Sequence, residues 1–177
     1  MTDGVDESRP FEPVRIAVLT VSDTRTLDDD KSGDLLAARI EGEGHVLADR
    51  RIVKDDIAAI QEIVKAWIAD PQVEAVISTG GTGVTGRDVT PEALKPLFDK
   101  EIEGFAIVFH MVSFQSVGVS TLQSRATAGV AGDTFLFALP GSRGGAADGW
   151  DKVIRFELDS RHRPCNLAEL MPRLMER

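Results

Sequence analysis

The stretch from Val76 to Glu92, V-I-S-T-G-G-T-G-V-T-G-R-D-V-T-P-E, constrains this chain more than any other. A short apolar run enters four glycines, Gly80, Gly81, Gly83 and Gly86, and Thr90-Pro91 then opens a helix. Glycine loses more backbone entropy on folding than any other residue, so such a cluster is not there for stability. It permits close backbone approach: without Cβ atoms the chain turns sharply after a strand and aims N–H groups at an anion. Phosphate is the anion most often held this way, and Asp88 just beyond is placed to hold Mg²⁺ against it. A tight turn that binds nothing needs only one or two glycines. The loop lacks the Gly-Lys-Ser/Thr ending of a P-loop, and it lacks the G-x-G-x-x-G spacing after the first strand that suits a dinucleotide.

The surrounding pattern supplies the fold class. Val14 to Val21 is almost continuously apolar, as in a strand covered on both faces. Ser32 is the expected N-cap of a helix running to about Glu43, with Leu36 and Ile40 inward. His45 to Val53 reads as an edge strand. Asp56 caps a second helix whose stripe is Ile57, Ile60, Val64, Trp67 and Ile68, and Val73 to Ser78 is the next buried strand. The β-α-β-α-β order predicts an α/β protein, a three-layer α/β/α sandwich with a mostly parallel central sheet. Ligands of such sheets collect at the carboxyl ends of strands. Ser22, Asp55 and Gly80 all lie at such ends.

Further along, Pro91 starts a short helix. A longer one is expected from Glu101 to about Phe114, apolar nearly all round, which points to burial or a subunit contact. Residues Ser120 to Ala126 read as a short helix. Ala128 to Asp133 reads as a turn feeding a late strand, Thr134 to Leu139. That strand halts at a second glycine-rich loop, Pro140-Gly141-Ser142-Arg143-Gly144-Gly145. A helix is expected from Ala146 to Leu158, and a last short one to Met171. Residues 1–12 are polar and proline-bounded, read as a mobile arm, and 13–177 as one domain.

Composition narrows the partners. The 177 residues carry 20 basic and 29 acidic side chains, a net charge of -9, which disfavours nucleic acid as a partner. The positive charge available to an anionic ligand is therefore local: Arg25, Arg87, Arg125 and Arg143. A single cysteine, Cys165, excludes an intramolecular disulfide. No stretch approaches the length of a membrane span, so a cytoplasmic protein without a membrane partner is expected. The histidines His45, His110 and His162 are scattered, with no zinc spacing and no Ser-His-Asp arrangement. Two carboxylates near a phosphate repel unless a divalent cation sits between them, which makes Mg²⁺ at Asp55 and Asp88 the economical reading.

An ordered set of motifs then resembles one family. The set is Thr20-Val21-Ser22-Asp23-Thr24-Arg25, Ser32-Gly33-Asp34, Gly80-Gly81-Thr82-Gly83, Arg87-Asp88-Val89-Thr90-Pro91-Glu92, Glu103-Gly104-Phe105, Leu122-Gln123-Ser124-Arg125 and Leu139-Pro140-Gly141-Ser142. It is similar to the MoaB/MogA family of molybdenum cofactor biosynthesis proteins, whose fold also occurs in gephyrin. Arg163-Pro164-Cys165-Asn166 resembles the MoaB branch. The resemblance implies a domain that binds molybdopterin and, in MogA-type members, transfers AMP from ATP to the molybdopterin phosphate with Mg²⁺. It implies Asp55 and Asp88 as metal-linked catalytic residues. It implies ligand contacts at Ser22, Asp23, Gly80, Gly81, Thr82, Gly83, Arg125, Pro140, Gly141 and Ser142. It also implies a homo-oligomer, trimer or hexamer. The sequence departs from many relatives where Arg143-Gly144-Gly145 follows Ser142, in place of a proline and a lysine. The rival reading is a non-catalytic molybdopterin-binding or carrier protein, with a paralogue supplying the chemistry.

Overall fold

A computed structural model describes residues 4–176. Six strands form one sheet in the order β2-β1-β3-β6-β5-β4. Strands β1 (Arg15–Val21), β2 (Val46–Val53), β3 (Ala75–Thr79) and β6 (Thr134–Leu139) are mutually parallel; β5 (Thr127–Ala131) runs antiparallel to β6, and the two-residue β4 (Lys100–Glu101) pairs antiparallel with β5 at the far edge. The period-two alternation of β1 divides its side chains between two cores. Ile16 and Val18 pack on one face with Leu36, Ile40, Phe105, Phe109 and Trp150. Ala17, Leu19 and Val21 pack on the other with Ile60, Val64, Trp67 and Leu94. Helices α1 (Lys31–Gly42), α4 (Glu103–Val117) and α5 (Arg143–Gly149) therefore cover one face, and α2 (Ile57–Ile68) and α3 (Thr90–Leu94) the other. This is the expected three-layer sandwich.

Chain order puts β2 on one side of β1 and β3 on the other, so the sheet has a topological switch point at β1/β3, where an open crevice forms. The registers bring the carboxyl ends level: Val21 lies beside Val53, Thr20 beside Thr79, and Thr79 beside Leu139. Two bonds extend the ladder past those ends, Ser22 N–H to the Val53 carbonyl (2.8 Å) and Gly80 N–H to the Leu139 carbonyl (3.0 Å).

Several boundaries differ from expectation. Asp30, not Ser32, caps α1: its buried carboxylate accepts the Gly33 N–H at 3.0 Å, leaving Ser32 inside the first turn. Asp56 caps α2 as expected, accepting from Ala59 N–H. Of Ala128–Asp133, read as a turn, residues 128–131 belong to β5, and the reversal is confined to Gly132 (φ 59°) and Asp133, the pair whose residue types suit a hairpin turn. The late helix begins at Arg143, since Ser142 Oγ accepts the Gly145 N–H, and it continues through a π-wound stretch, Trp150–Ile154, into α6 (Arg155–Glu157). The final segment is a 3₁₀ helix, Ala168–Arg173.

Of the arm expected over residues 1–12, residues 1–3 lie outside the described residues. The rest is laid against the C-terminal segment: Asp6 N–H donates to Arg161 O (2.9 Å), Arg163 N–H to Gly4 O (2.7 Å), and Phe11 packs 5.0 Å from the His45 ring. Helix α4 and the 3₁₀ segment after it (Gly118–Gln123) together make 21 residues, long and apolar enough by length and composition to cross a membrane. No stretch of that kind was expected from the sequence. Phe105, Phe109 and Ser113 face the core, Gly118 (φ 60°) breaks the axis, and the outer face is apolar and exposed.

Candidate functional site

A cavity of about 530 Å³ opens over the aligned strand ends. Its floor is the first glycine loop. Gly80 (φ 103°) turns so tightly after β3 that a Cβ would run into the Val21 carbonyl oxygen. At Gly81 (φ 66°) a Cβ would strike the buried Thr90 hydroxyl and come within 3.1 Å of Asp55 Oδ1. At Gly83 it would sit 2.6 Å from Asp88 Oδ2. Gly86, by contrast, has open space around it and belongs to the loop without being required by it. The second loop stacks on the first: Gly141 approaches so closely that its Cβ would lie 3.1 Å from the Gly80 Cα, and Thr79 Oγ1 donates to Pro140 O at 2.8 Å.

Both predicted carboxylates reach this cavity, from the ends of different strands. Burial, and then the negative charge of Asp88, push the Asp55 pKa up. Burial acts on Asp88 in the same direction, but bonds from the Thr85 hydroxyl (2.7 Å), the Thr85 N–H (2.9 Å) and the Gly83 N–H outweigh it and hold Asp88 below the ordinary carboxylate range. The pair thus consists of a firmly ionised Asp88 and an Asp55 that gains from any nearby cation. Among the described residues no cluster of three or more His, Cys, Asp or Glu side chains encloses a metal. Two carboxylates in one cavity are a donor set that could hold Mg²⁺, which keeps several of its waters and needs only one or two protein carboxylates.

Most other predicted residues also line the cavity: Ser22, Gly80, Gly81, Thr82, Gly83, Pro140, Gly141 and Ser142. Arg125 does not. Its Nε donates to Gly83 O (2.7 Å), one Nη donates to Asp88 O (2.9 Å), and the guanidinium pairs with Glu92, so it clamps the loop from behind and has no fork left for a phosphate. Asp23 stands at the rim, paired with Arg87 while accepting the Asp55 N–H at 3.3 Å. Arg143 is exposed at the start of α5 and does not line the cavity, whereas Arg25 and Arg87 do.

The structure adds a wall that the sequence did not disclose. The cavity continues between α4 and α5, lined by Ser113 and Val117 on one side and by Ser142, Gly145 and Asp148 on the other. The i, i+4 and i, i+3, i+6 spacings place each set on one helical face. Ser124, in the connection after α4, adds a buried hydroxyl with no partner among the described residues. No motif marked Asp148 or Ser113, because a helix face becomes a cavity wall only once its neighbour is in place.

Residues 17–160 match the family described as a probable molybdopterin binding domain. The chain belongs to that family. Molybdenum cofactor biosynthesis protein B of Escherichia coli (strain K12) is 52 % identical over 159 residues, covering 90 % of this chain and 94 % of that protein. The protein of the same name from Bacillus subtilis (strain 168) is 47 % identical over 158 residues, covering 88 % and 93 %. A crystal structure of molybdenum cofactor biosynthesis protein B superposes with a TM-score of 0.85 at 38 % identity, covering 96 % of this chain and all of that one. In this member of the MoaB/MogA family, Asp55, Asp88 and both glycine loops converge on one cavity.

Proposed function

We propose that this protein binds molybdopterin in the cavity and transfers AMP from ATP to its terminal phosphate, with Mg²⁺ held at Asp55 and Asp88. One observation carries the reading: two mutually repelling carboxylates stand against a glycine loop that has no room for side chains, in a single cavity. In the transfer, a molybdopterin phosphate oxygen attacks the α-phosphorus of ATP, and the bond to the β-phosphate oxygen breaks to release pyrophosphate. A phosphate is already ionised at neutral pH, so no general base is needed. The protein's task is to hold two anions in line. The Gly81 and Thr82 amides and Ser142 hold phosphate, Arg25 brings local positive charge, and Asp55 and Asp88 hold the cation. Bound there, Mg²⁺ would neutralise the charge developing on the transferred group.

A second reading, a molybdopterin carrier without chemistry, draws on the loop after Ser142. Arg143 does not line the cavity, so the second loop brings no cation to a phosphate. Incubating the protein with ATP, Mg²⁺ and molybdopterin while following pyrophosphate separates the two. The transferase reading expects release that falls at least about 100-fold in Asp88→Asn and Asp55→Asn. Molybdopterin binding without any pyrophosphate release establishes the carrier instead.

The oligomer belongs to the same proposal. Ile107, Met111 and Phe114 fall at i, i+4 and i+7 on α4 and are 63 %, 63 % and 56 % exposed, with Leu122 beyond them at 79 %. A contiguous apolar stripe of this kind is what a second copy would cover.

A further inference from the structure

Three carboxylates line the cavity, and they differ in what surrounds them. Asp55 has only Asp88 as a charged neighbour acting on it, and that neighbour is repulsive. Asp148, on α5, is already neutralised: Lys152 Nζ lies 2.6 Å from its Oδ1, and Ser116 Oγ donates to the same oxygen at 3.0 Å. Lys152 Nζ also donates to Ser116 Oγ at 2.8 Å, so α4 and α5 are tied together around that oxygen. The side chain is 11 % exposed, and among the described residues the hydrogen bonds and the ion pair it makes go to Oδ1, with none to Oδ2. A carboxylate with its charge balanced has little to gain from a metal ion, yet both lone pairs of Oδ2 remain open to neutral N–H donors.

The position matters as much as the chemistry. Ser142, Gly145 and Asp148 share one face of α5, so Asp148 lies roughly 9 Å along the helix from the phosphate-holding loop. Asp55 and Asp88 lead into α2 and α3 on the opposite face of the sheet, whereas Asp148 is in the groove between α4 and α5. A ligand with its phosphate at the glycine loops therefore projects its other end toward Asp148. In a pterin that end carries N3–H and the 2-amino group, two neutral donors side by side.

We propose that Asp148 determines specificity for the pterin ring, its Oδ2 accepting from that N–H edge; this rests on the molybdopterin-binding function proposed above. The consequence is discrimination against a ring with oxygen in place of the 2-amino group, because a carbonyl would meet the carboxylate as acceptor against acceptor.

The test is fluorescence titration of the full chain with 6-carboxypterin and with 6-carboxylumazine, which differ only in that group. Wild type is expected to prefer the pterin by at least about tenfold, and Asp148→Asn to lose most of that preference through weaker pterin binding. Asparagine keeps an oxygen for Lys152 and Ser116, and a thermal melt checks that the variant is folded. The wild-type ratio needs no variant, so the proposal stays testable if Asp148→Asn does not fold. Equal binding of the two rings by wild type, or an unchanged ratio in a folded Asp148→Asn, overturns the role of Asp148 and leaves the proposed function standing. Failure to bind either ring overturns the pterin site at Asp148, and failure to bind molybdopterin itself overturns the proposed function as well.

Discussion

Gly81 shows how a single residue ties fold to site. Its φ of 66° is disfavoured for any L side chain, and a Cβ there would hit the Thr90 hydroxyl, which is held by its own bond to Gly80 O at 2.8 Å and cannot retreat. Gly81→Ala is expected to lower the unfolding free energy by about 2–4 kcal/mol. Gly86→Ala, with open space around it, should change stability by less than about 0.5 kcal/mol. Urea unfolding of the two variants side by side checks this, and equal effects would contradict it. At this scale the need for glycine was legible in the sequence, because clustered glycines imply close backbone approach. The role of Arg125 was not. A guanidinium beside a phosphate-binding loop looks like a ligand until the carbonyls of Gly83 and Asp88, roughly forty residues away in sequence, are seen to occupy it.

Among the elements, α4 shows where local pattern runs out. Its apolar residues surround the axis, so the sequence pointed to burial or a subunit contact without dividing the helix between them. Packing does that: Phe105 and Phe109 enter the core with Phe137, while Ile107, Met111 and Phe114 are left outside. If those three meet another copy, Met111→Glu combined with Phe114→Glu is expected to reduce the assembly to monomers in sedimentation measurements. An unchanged mass would place the interface elsewhere. The caps divide in the same way. Asp56 is recognisable from its position before an amphipathic run. The choice of Asp30 over Ser32 depends on burial against Thr20, whose hydroxyl donates to Asp30 at 2.6 Å, and on Arg50 from β2 at 2.8 Å. The strand β5 was missed because its small residues, Thr127 to Ala131, gain strand character only by pairing with β6.

For the molecule as a whole, the terminal segments are locked to the body around His45, which is 6 % exposed. Its Nδ1 accepts the Val14 N–H at 3.1 Å, and its ring packs against Phe11 and Trp150. Burial, opposed by the nearby Asp159 and reinforced by Arg161, lowers its pKa from 6.5 to about 4. The unfolded chain therefore takes up a proton at His45 as pH falls below 6.5, while the folded chain resists until about 4. Above pH 6.5 its titration adds no pH dependence to stability. Between 6.5 and 4 stability falls, by about 3 kcal/mol in all. Burial would raise the pKa of Asp30, but its bonds to Thr20, Arg50 and Gly33 lower it, so its contribution is lost only below the normal carboxylate pKa of 3.8 and the two windows separate. Denaturant unfolding from pH 7 to 4 should show this fall in wild type and a flatter profile in His45→Asn, and parallel profiles would refute it. By itself the sequence determined the layer architecture, the parallel sheet, both glycine loops and the carboxylates that follow two strand ends. Each of those is written in local periodicity, in turn chemistry or in a strand's position in the chain. Only the tertiary structure decided that Arg125 braces the loop, that Asp23 stands at the rim, and that Asp148 and Ser113 wall the far end of the cavity. Those assignments depend on which surfaces meet across the sheet and between α4 and α5, and spacing along one chain carries no record of that.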